Sequence, residues 1–255
     1  MQFIDTHSHF YVQNFDADRD DAVAKSLQAG VSHILLPNID LESLPRLLDV
    51  CQKYPDMCFP LLGLHPCDVK ENYPIELEKI FDCFNKYRFV GVGEIGIDLY
   101  WSQDYLEKQK EAFRWQIAFA IERDLPIVVH KRQSYYETMA VLNEFKSDKL
   151  RGIFHCYSGS LIHAQEVIAK GFLLGIGGTA TYKSSKLDEV LPHIPLEKIV
   201  LETDAPYLTP VPYRGTRNNS HYIPIIAQKI ADIKQITIEE VAQQTTENAR
   251  KMFSL

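Results

Sequence analysis

The sequence predicts an α/β chain folded as a (β/α)8 TIM barrel, and three observations carry that prediction. Short apolar runs alternate with amphipathic segments along the 255 residues, no Pro/Gly/Ser linker or low-complexity tract interrupts the alternation, and histidines and carboxylates fall at or just past the carboxyl ends of the runs. Only closure of a barrel brings polar residues spaced over most of a chain to one point.

The apolar runs are Phe3 to Thr6, Val31 to Leu36, Cys58 to Leu64, Phe89 to Ile95, Pro126 to Val129, Gly152 to Phe154, Phe172 to Ile176 and Lys198 to Leu201. Near-continuous apolar strands indicate a parallel sheet buried on both faces. Helical periodicity places amphipathic helices at Arg19 to Ala29, Leu41 to Tyr54, Ile75 to Tyr87, Tyr105 to Arg123, Tyr135 to Phe145, Ile162 to Lys170 and Leu187 to His193, then at Ile223 to Ile233 and Ile238 to Phe253. Eight strand–helix units favour a closed barrel over an open sheet. No G-x-G-x-x-G follows a strand, which argues against dinucleotide binding. The expected organisation is a single domain over residues 1–255, since barrels of roughly 250 residues are routinely one unit.

Bulk composition narrows the function classes. The net charge is −7, from 27 Lys+Arg against 34 Asp+Glu, so no global basic field exists to wrap long duplex DNA. A phosphate-containing substrate held locally is compatible with it, because carboxylates in a metal site are neutralised by their cations. No apolar run approaches the roughly 18 residues of a membrane span, and the segment Met1 to Asp5 lacks the basic and apolar regions of a signal peptide, so a cytoplasmic location is expected. Cys51, Cys58, Cys67, Cys83 and Cys156 form no C-x-x-C pair and are odd in number, which points to reduced thiols rather than a disulfide framework or a thiolate zinc site. Nothing in the sequence calls for an obligate protein partner.

The sharpest local signal is Asp5-Thr6-His7-Ser8-His9. On an extended strand His7 and His9 project to one side with Asp5 below them, so two neutral imidazoles can grip a cation while Asp5 orients an imidazole. Further polar residues follow the other strands: Gly63-Leu64-His65-Pro66, Glu94 in Gly93-Glu94-Ile95-Gly96-Ile97-Asp98, His130, His155-Cys156-Tyr157-Ser158-Gly159, and Glu202-Thr203-Asp204-Ala205-Pro206. Carboxyl ends of barrel strands form the catalytic face, so these residues suggest a metal-dependent hydrolase. Trp101, Tyr100 and Tyr105 are expected to pack the barrel rim. Gly175, Gly177 and Gly178 either admit a phosphate to backbone amides or relieve crowding at the barrel mouth. His33, His163, His193 and His221 match no ligand position.

With these motifs in place, the chain resembles the TatD-type metal-dependent deoxyribonucleases, a branch of the amidohydrolase-like barrel hydrolases. The likeness runs through D-x-H-x-H at Asp5 to His9, Gly63 to Pro66, Gly93 to Asp98, Pro126 to His130, His155 to Gly159, Glu202 to Pro206 and Arg214-Gly215-Thr216-Arg217-Asn218. Two departures stand out: Tyr157 where the family usually has Phe, and Ser220 where it usually has Pro.

The resemblance implies a barrel of the metallo-dependent hydrolase type with two divalent cations. His7, His9, Glu94 and Asp204 would hold one, and Glu94, His130 and His155 the other, with Glu94 bridging. Imidazole and carboxylate ligands are compatible with Zn, Mn, Co or Mg. Asp204 is then a candidate general base, Glu202 an assisting carboxylate and His65 a contact to water or phosphate. Arg214 and Arg217 are candidates for bidentate phosphate contacts. The implied activity is hydrolysis of phosphodiester bonds of DNA, trimming 3′ ends or single strands. The alternatives are an amidohydrolase-type enzyme acting on a small cyclic amide, lactone or phosphoester, and a non-catalytic metal-binding scaffold.

Overall fold

A computed structural model describes residues 1–255, and its eight strands form one parallel sheet in sequential order. The strands are β1 (Phe3–Asp5), β2 (Val31–Pro37), β3 (Cys58–Leu62), β4 (Gly91–Asp98), β5 (Ile127–Arg132), β6 (Gly152–Phe154), β7 (Phe172–Ile176) and β8 (Ile199–Leu201). The helices are α1 (Arg19–Gln28), α2 (Leu44–Lys53), α3 (Tyr73–Asp82), α4 (Leu106–Glu122), α5 (Tyr135–Glu144), α6 (Leu161–Ala169), α7 (Leu187–Val190), α8 (Ile223–Lys234) and α9 (Ile238–Phe253). Every strand run and helix expected from periodicity is present; β6, β7 and α9 keep the expected boundaries, and the others move by one to several residues.

The ring closes where β8 meets β1. Both the backbone N–H and the hydroxyl of Thr6 donate to the Leu201 carbonyl at 3.0 Å, and Asp204 N–H donates to the His7 carbonyl at 2.8 Å. Residues 8 and 205 then form a parallel bridge.

Alternate strand residues divide the apolar core. Ile4, Leu35, Leu61, Val128, Ile153 and Val200 turn into the barrel, closed at its amino end by Met252 and Phe253 of α9. Their neighbours, among them Phe3, Ile34, Leu62, Val129 and Ile199, face the surrounding helices. α9 starts from a capping box in which Thr237 and Glu240 satisfy each other's backbone N–H groups.

Two strands outrun their apolar stretches. β4 and β5 stay paired through Gly96↔His130, Ile97↔Lys131 and Asp98↔Arg132, so His130 lies inside its strand rather than past it, and Glu94, within the expected run, is followed by four more strand residues. The register shifts between Val92 and Ile95, where three β4 residues span two of β5. Such a bulge re-aims side chains, and Glu94 sits within it. Gly96 makes the close pairing possible: its φ is +143°, and a Cβ there would lie 2.1 Å from the His130 carbonyl oxygen. No helix is long and apolar enough to cross a membrane.

Candidate metal centre

The carboxyl ends of β1, β4, β5, β6 and β8 deliver His7, His9, Glu94, His130, His155 and Asp204 to one point, at the floor of a cavity of about 650 Å³. Glu94 occupies the middle. Its Oε2 lies 3.1 Å from His7 Nε2 and 3.7 Å from His9 Nε2, while its Oε1 lies 2.5 Å from His130 Nδ1 and 2.7 Å from His155 Nε2. Asp204 Oδ1 completes the first group, 3.6 Å from His7 Nε2 and 3.4 Å from His9 Nε2. The two oxygens of one carboxylate thus serve two separate sets of imidazole nitrogens.

Neighbouring groups set the tautomers. Tyr11 Oη donates to the Pro37 carbonyl at 2.6 Å, so at 3.1 Å from His9 Nδ1 it acts as acceptor, which places the His9 proton on Nδ1 and leaves the Nε2 lone pair facing Asp204. Likewise His130 Nε2 donates to Asp98 Oδ2 at 2.8 Å and turns Nδ1 toward Glu94. Lone pairs of His9 and His130 therefore face carboxylate oxygens, acceptor against acceptor, unless a cation or a further proton lies between. The donor set fits divalent metal ions for that reason.

The electrostatics agree. Burial penalises the Glu94 charge, yet His155, His7 and His65 around it hold its carboxyl well below the usual carboxylate range. Burial likewise opposes ionisation of Asp204, and the facing His9 with the fields of His7 and His155 lowers it. His155 is raised well above its ordinary value, because the facing Glu94 outweighs the burial that disfavours its charge. His7 moves down, by burial and by the neighbouring His155.

The other residues singled out in the sequence divide. His65 Nδ1 accepts from Cys67 N–H at 3.1 Å, capping the turn at 66–68, while its Nε2 points into the centre 3.6 Å from Glu94 Oε1. It both caps a turn and faces the site. Glu202 lies behind His155 rather than in the solvent. Its Oε1 accepts from Cys156 N–H at 2.6 Å and stands 3.7 Å from His155 Nδ1, and its Oε2 is buried with no partner. Gly175 makes room for that carboxylate, since a Cβ there would lie 2.1 Å from Glu202 Oε2.

Several expectations give way. Asp5 does not orient an imidazole; it accepts from the backbone N–H groups of His7 and Thr203 and from the hydroxyls of Thr203 and Ser220, fastening β1 to β8. Its position beneath His7, with no ring nitrogen in reach, is the reason. Burial pushes its pKa up to about 7 despite those four donors. Ser220, the departure from the family's Pro, supplies one of them at 2.5 Å. Arg217 is turned away from the cavity: it forms a bidentate pair with Asp18 at 2.7 Å and lies over the Phe15 ring. Arg214 lies over the Tyr182 ring at 4.2 Å, and neither arginine lines the cavity. Trp101 and Tyr100 are not packed into the rim but are 71% and 47% exposed, on a loop leaving the end of β4.

Asp98 and Tyr11 escaped sequence reasoning as imidazole partners. The signal for Asp98 was available, since it shares a strand face with Glu94 at four residues' distance; Tyr11 carried none.

Against known proteins, a model of the TatD-related DNase family matches residues 4–254. The metal-dependent hydrolase YabD of Bacillus subtilis is 34% identical over 252 residues, 98% of each chain. The 3′-5′ ssDNA/RNA exonuclease TatD of Pectobacterium carotovorum is 32% identical over 94% of this chain and 95% of that one. The crystal structure of the TatD homologue YjjV from Escherichia coli superposes with a TM-score of 0.93 at 29% identity, covering 99% of this chain and 98% of that one. With the family model matching almost every residue and relatives matched end to end, the chain belongs to the TatD-related DNase family.

Proposed function

We propose that the protein is a divalent-metal-dependent nuclease that hydrolyses phosphodiester bonds of DNA, removing nucleotides from 3′ ends of single strands. One observation carries the reading: the division of the Glu94 oxygens between two imidazole sets, His7 with His9 and His130 with His155. In this reading His7, His9, Glu94 and Asp204 hold one cation, and Glu94, His130 and His155 the other. Two such ions supply an activated water and neutralise the attacking and leaving oxygens of a displacement at phosphorus.

The protein's own groups do the rest. Asp204 is the general base, because its side chain is 16% exposed to the cavity while Glu94, at 4%, is sealed beneath it. Asp204 holds this pose at φ 57°, a left-handed conformation that a non-glycine residue keeps only under restraint. The restraint comes from its N–H bonded to the His7 carbonyl and its carbonyl bonded to Tyr207 N–H, both at 2.8 Å. Glu202 stiffens the strand end that carries His155, and His65 is placed to contact a phosphate oxygen above Glu94 Oε1.

The relative known as a 3′-5′ ssDNA/RNA exonuclease supports the substrate class. A small cyclic amide or lactone suits the cavity less well, because its wall carries the charged side chains of Asp68, Asp98, Lys131 and Arg132. The test is a nuclease assay with 3′- and 5′-end-labelled single- and double-stranded DNA after loading with Mg, Mn, Zn or Co. Stepwise shortening from the 3′ end of single strands is expected. Absence of cleavage with every ion, in protein that has bound metal, overturns the reading.

A further inference from the structure

Beside the metal centre, the carboxyl ends of β4 and β5 carry a group of side chains that the proposed hydrolysis does not use. Lys131 and Arg132 end β5, and Tyr100 and Trp101 follow β4; Lys131, Arg132 and Trp101 line the same cavity as Glu94, His130 and Asp204. Arg132 lies over Tyr100, 3.7 Å from the ring centroid, and 5.6 Å from the centroid of Trp101, which Tyr100 meets edge-on at 4.9 Å. The row is registered to the metal centre by one residue: Asp98 Oδ1 accepts from Tyr100 N–H at 2.9 Å while its Oδ2 holds His130.

Two features of this row are unusual for a merely structural role. Neither Lys131 nor Arg132 forms a salt bridge, although the chain has seven more acidic than basic residues and pairs Arg217 with Asp18 and Arg114 with Glu144 elsewhere. Trp101 leaves 71% of its surface in water at the mouth of the cavity. Tyr136 is equally exposed, but it stands on α5 away from that cavity and beside no unpaired cation. Cations that no carboxylate neutralises, one of them held by aromatic rings, next to a largely exposed indole match the two parts of a nucleotide, an anionic phosphate and a flat base.

We propose that Lys131, Arg132 and Trp101 form a nucleotide shelf, in which the two cations take the phosphate next to the scissile one and Trp101 stacks on the base. The shelf rests on the nuclease reading for its substrate and adds its selectivity. At a paired end the terminal base is held by the stack beneath it and by its Watson–Crick partner, so it reaches the indole only by unpairing, and discrimination against paired ends arises at Trp101 rather than at the metal ligands.

The chain has two tryptophans, so Trp115→Phe leaves Trp101 as the sole indole reporter. Metal-loaded protein in that background is titrated with a phosphorothioate-linked oligothymidylate, with the same strand lacking its 3′-terminal base, and with a blunt duplex. Trp101→Ala and Lys131→Met are assayed in parallel on the cleavable oligothymidylate, with circular dichroism as the check on folding. The shelf requires indole quenching by the single strand, at least tenfold weaker binding of the duplex, and an increase of about tenfold in KM for Trp101→Ala with kcat within about threefold. The ratio between wild type and Trp101→Ala should shrink on the strand lacking its base. Lys131→Met should raise KM and flatten its dependence on salt. Cleavage without quenching, with KM of Trp101→Ala within twofold of wild type, overturns the shelf and leaves the nuclease reading standing. Quenching without cleavage rejects the nuclease reading and reduces the shelf to a single-strand binding surface with no scissile phosphate beside it, whereas a chain that neither cleaves nor quenches rejects both.

Discussion

Asp98→Asn is the substitution that probes how the centre is held together. Asp98 is almost wholly buried, and its two oxygens are committed to two donors, Oδ2 to His130 Nε2–H at 2.8 Å and Oδ1 to Tyr100 N–H at 2.9 Å. Asparagine has one oxygen for those two donors, so one bond is lost and the other becomes neutral. A hydrogen bond to a charged acceptor is worth about 1.5–3 kcal/mol, which corresponds to a factor of roughly 10–100 in an equilibrium constant. If that bond sets the direction of His130 Nδ1, the whole factor should pass to the affinity for the ion that Glu94, His130 and His155 are proposed to hold. The backbone is held independently, since Asp98 N–H donates to Gln109 Oε1 at 2.9 Å and its carbonyl accepts from Gln109 Nε2 at 3.2 Å. Competition with a chelator of known affinity, followed with Mn or Zn, measures the change. An Asp98→Asn protein that folds normally and binds metal within twofold of wild type would refute the positioning role.

Arg217→Ala should lower stability by about 1 kcal/mol or less, through loss of the partly exposed Asp18 pair, and leave KM for an oligonucleotide within twofold; a large rise in KM would return Arg217 to the substrate site. Gly175→Ala should destabilise by about 1–3 kcal/mol in chemical denaturation and cut turnover, because the new methyl must displace the Glu202 carboxylate; unchanged activity would detach Glu202 from catalysis. Asp204→Asn should lower kcat by at least about a hundredfold at saturating metal, the scale of a removed general base, and a fully active variant would end that assignment. His33, half-buried on β2, is held below its ordinary value of 6.5 by burial and by Arg250. The unfolded chain therefore takes the proton first as pH falls, so the stability it contributes is complete above 6.5 and is lost as pH drops through its lowered folded value. Denaturation of wild type and His33→Gln between about pH 7 and 5 should show their difference shrinking toward acid, and a constant difference would contradict the shift.

What could be read in the sequence follows from how each feature is encoded. Apolar runs such as Val31 to Leu36 identify strands because a parallel sheet is buried on both faces, and the helix Ile238 to Phe253 is legible to the residue. Boundaries fail where polar residues enter a strand for the sake of the site: β4 runs three residues past its expected end at Ile95, and β5 past Val129, because backbone pairing continues under Glu94, His130 and Asp98. The six proposed metal ligands were visible as residue types at strand ends, and the structure gathers them. Contacts that depend on three-dimensional direction were not. Arg217 lies in a motif suited to phosphate, yet its guanidinium points to Asp18, 199 residues away in the chain. Asp5 reads as a partner of the neighbouring histidines, yet its nearest donors beyond His7 are Thr203 and Ser220.

That last arrangement governs the order in which the molecule can assemble. Asp5 joins residues 198 and 215 positions away, and bringing such distant segments of a free chain together costs on the order of 5 kcal/mol in loop-closure entropy. The cost falls once the seven intervening strand pairings hold the two edges near each other, so the junction of β1 and β8 is expected to close last. His7 and His9 stand on one side of that junction and Asp204 on the other. A partly folded chain would consequently present only fragments of the proposed four-donor set, and tight capture of a cation would report a finished barrel rather than a nascent one.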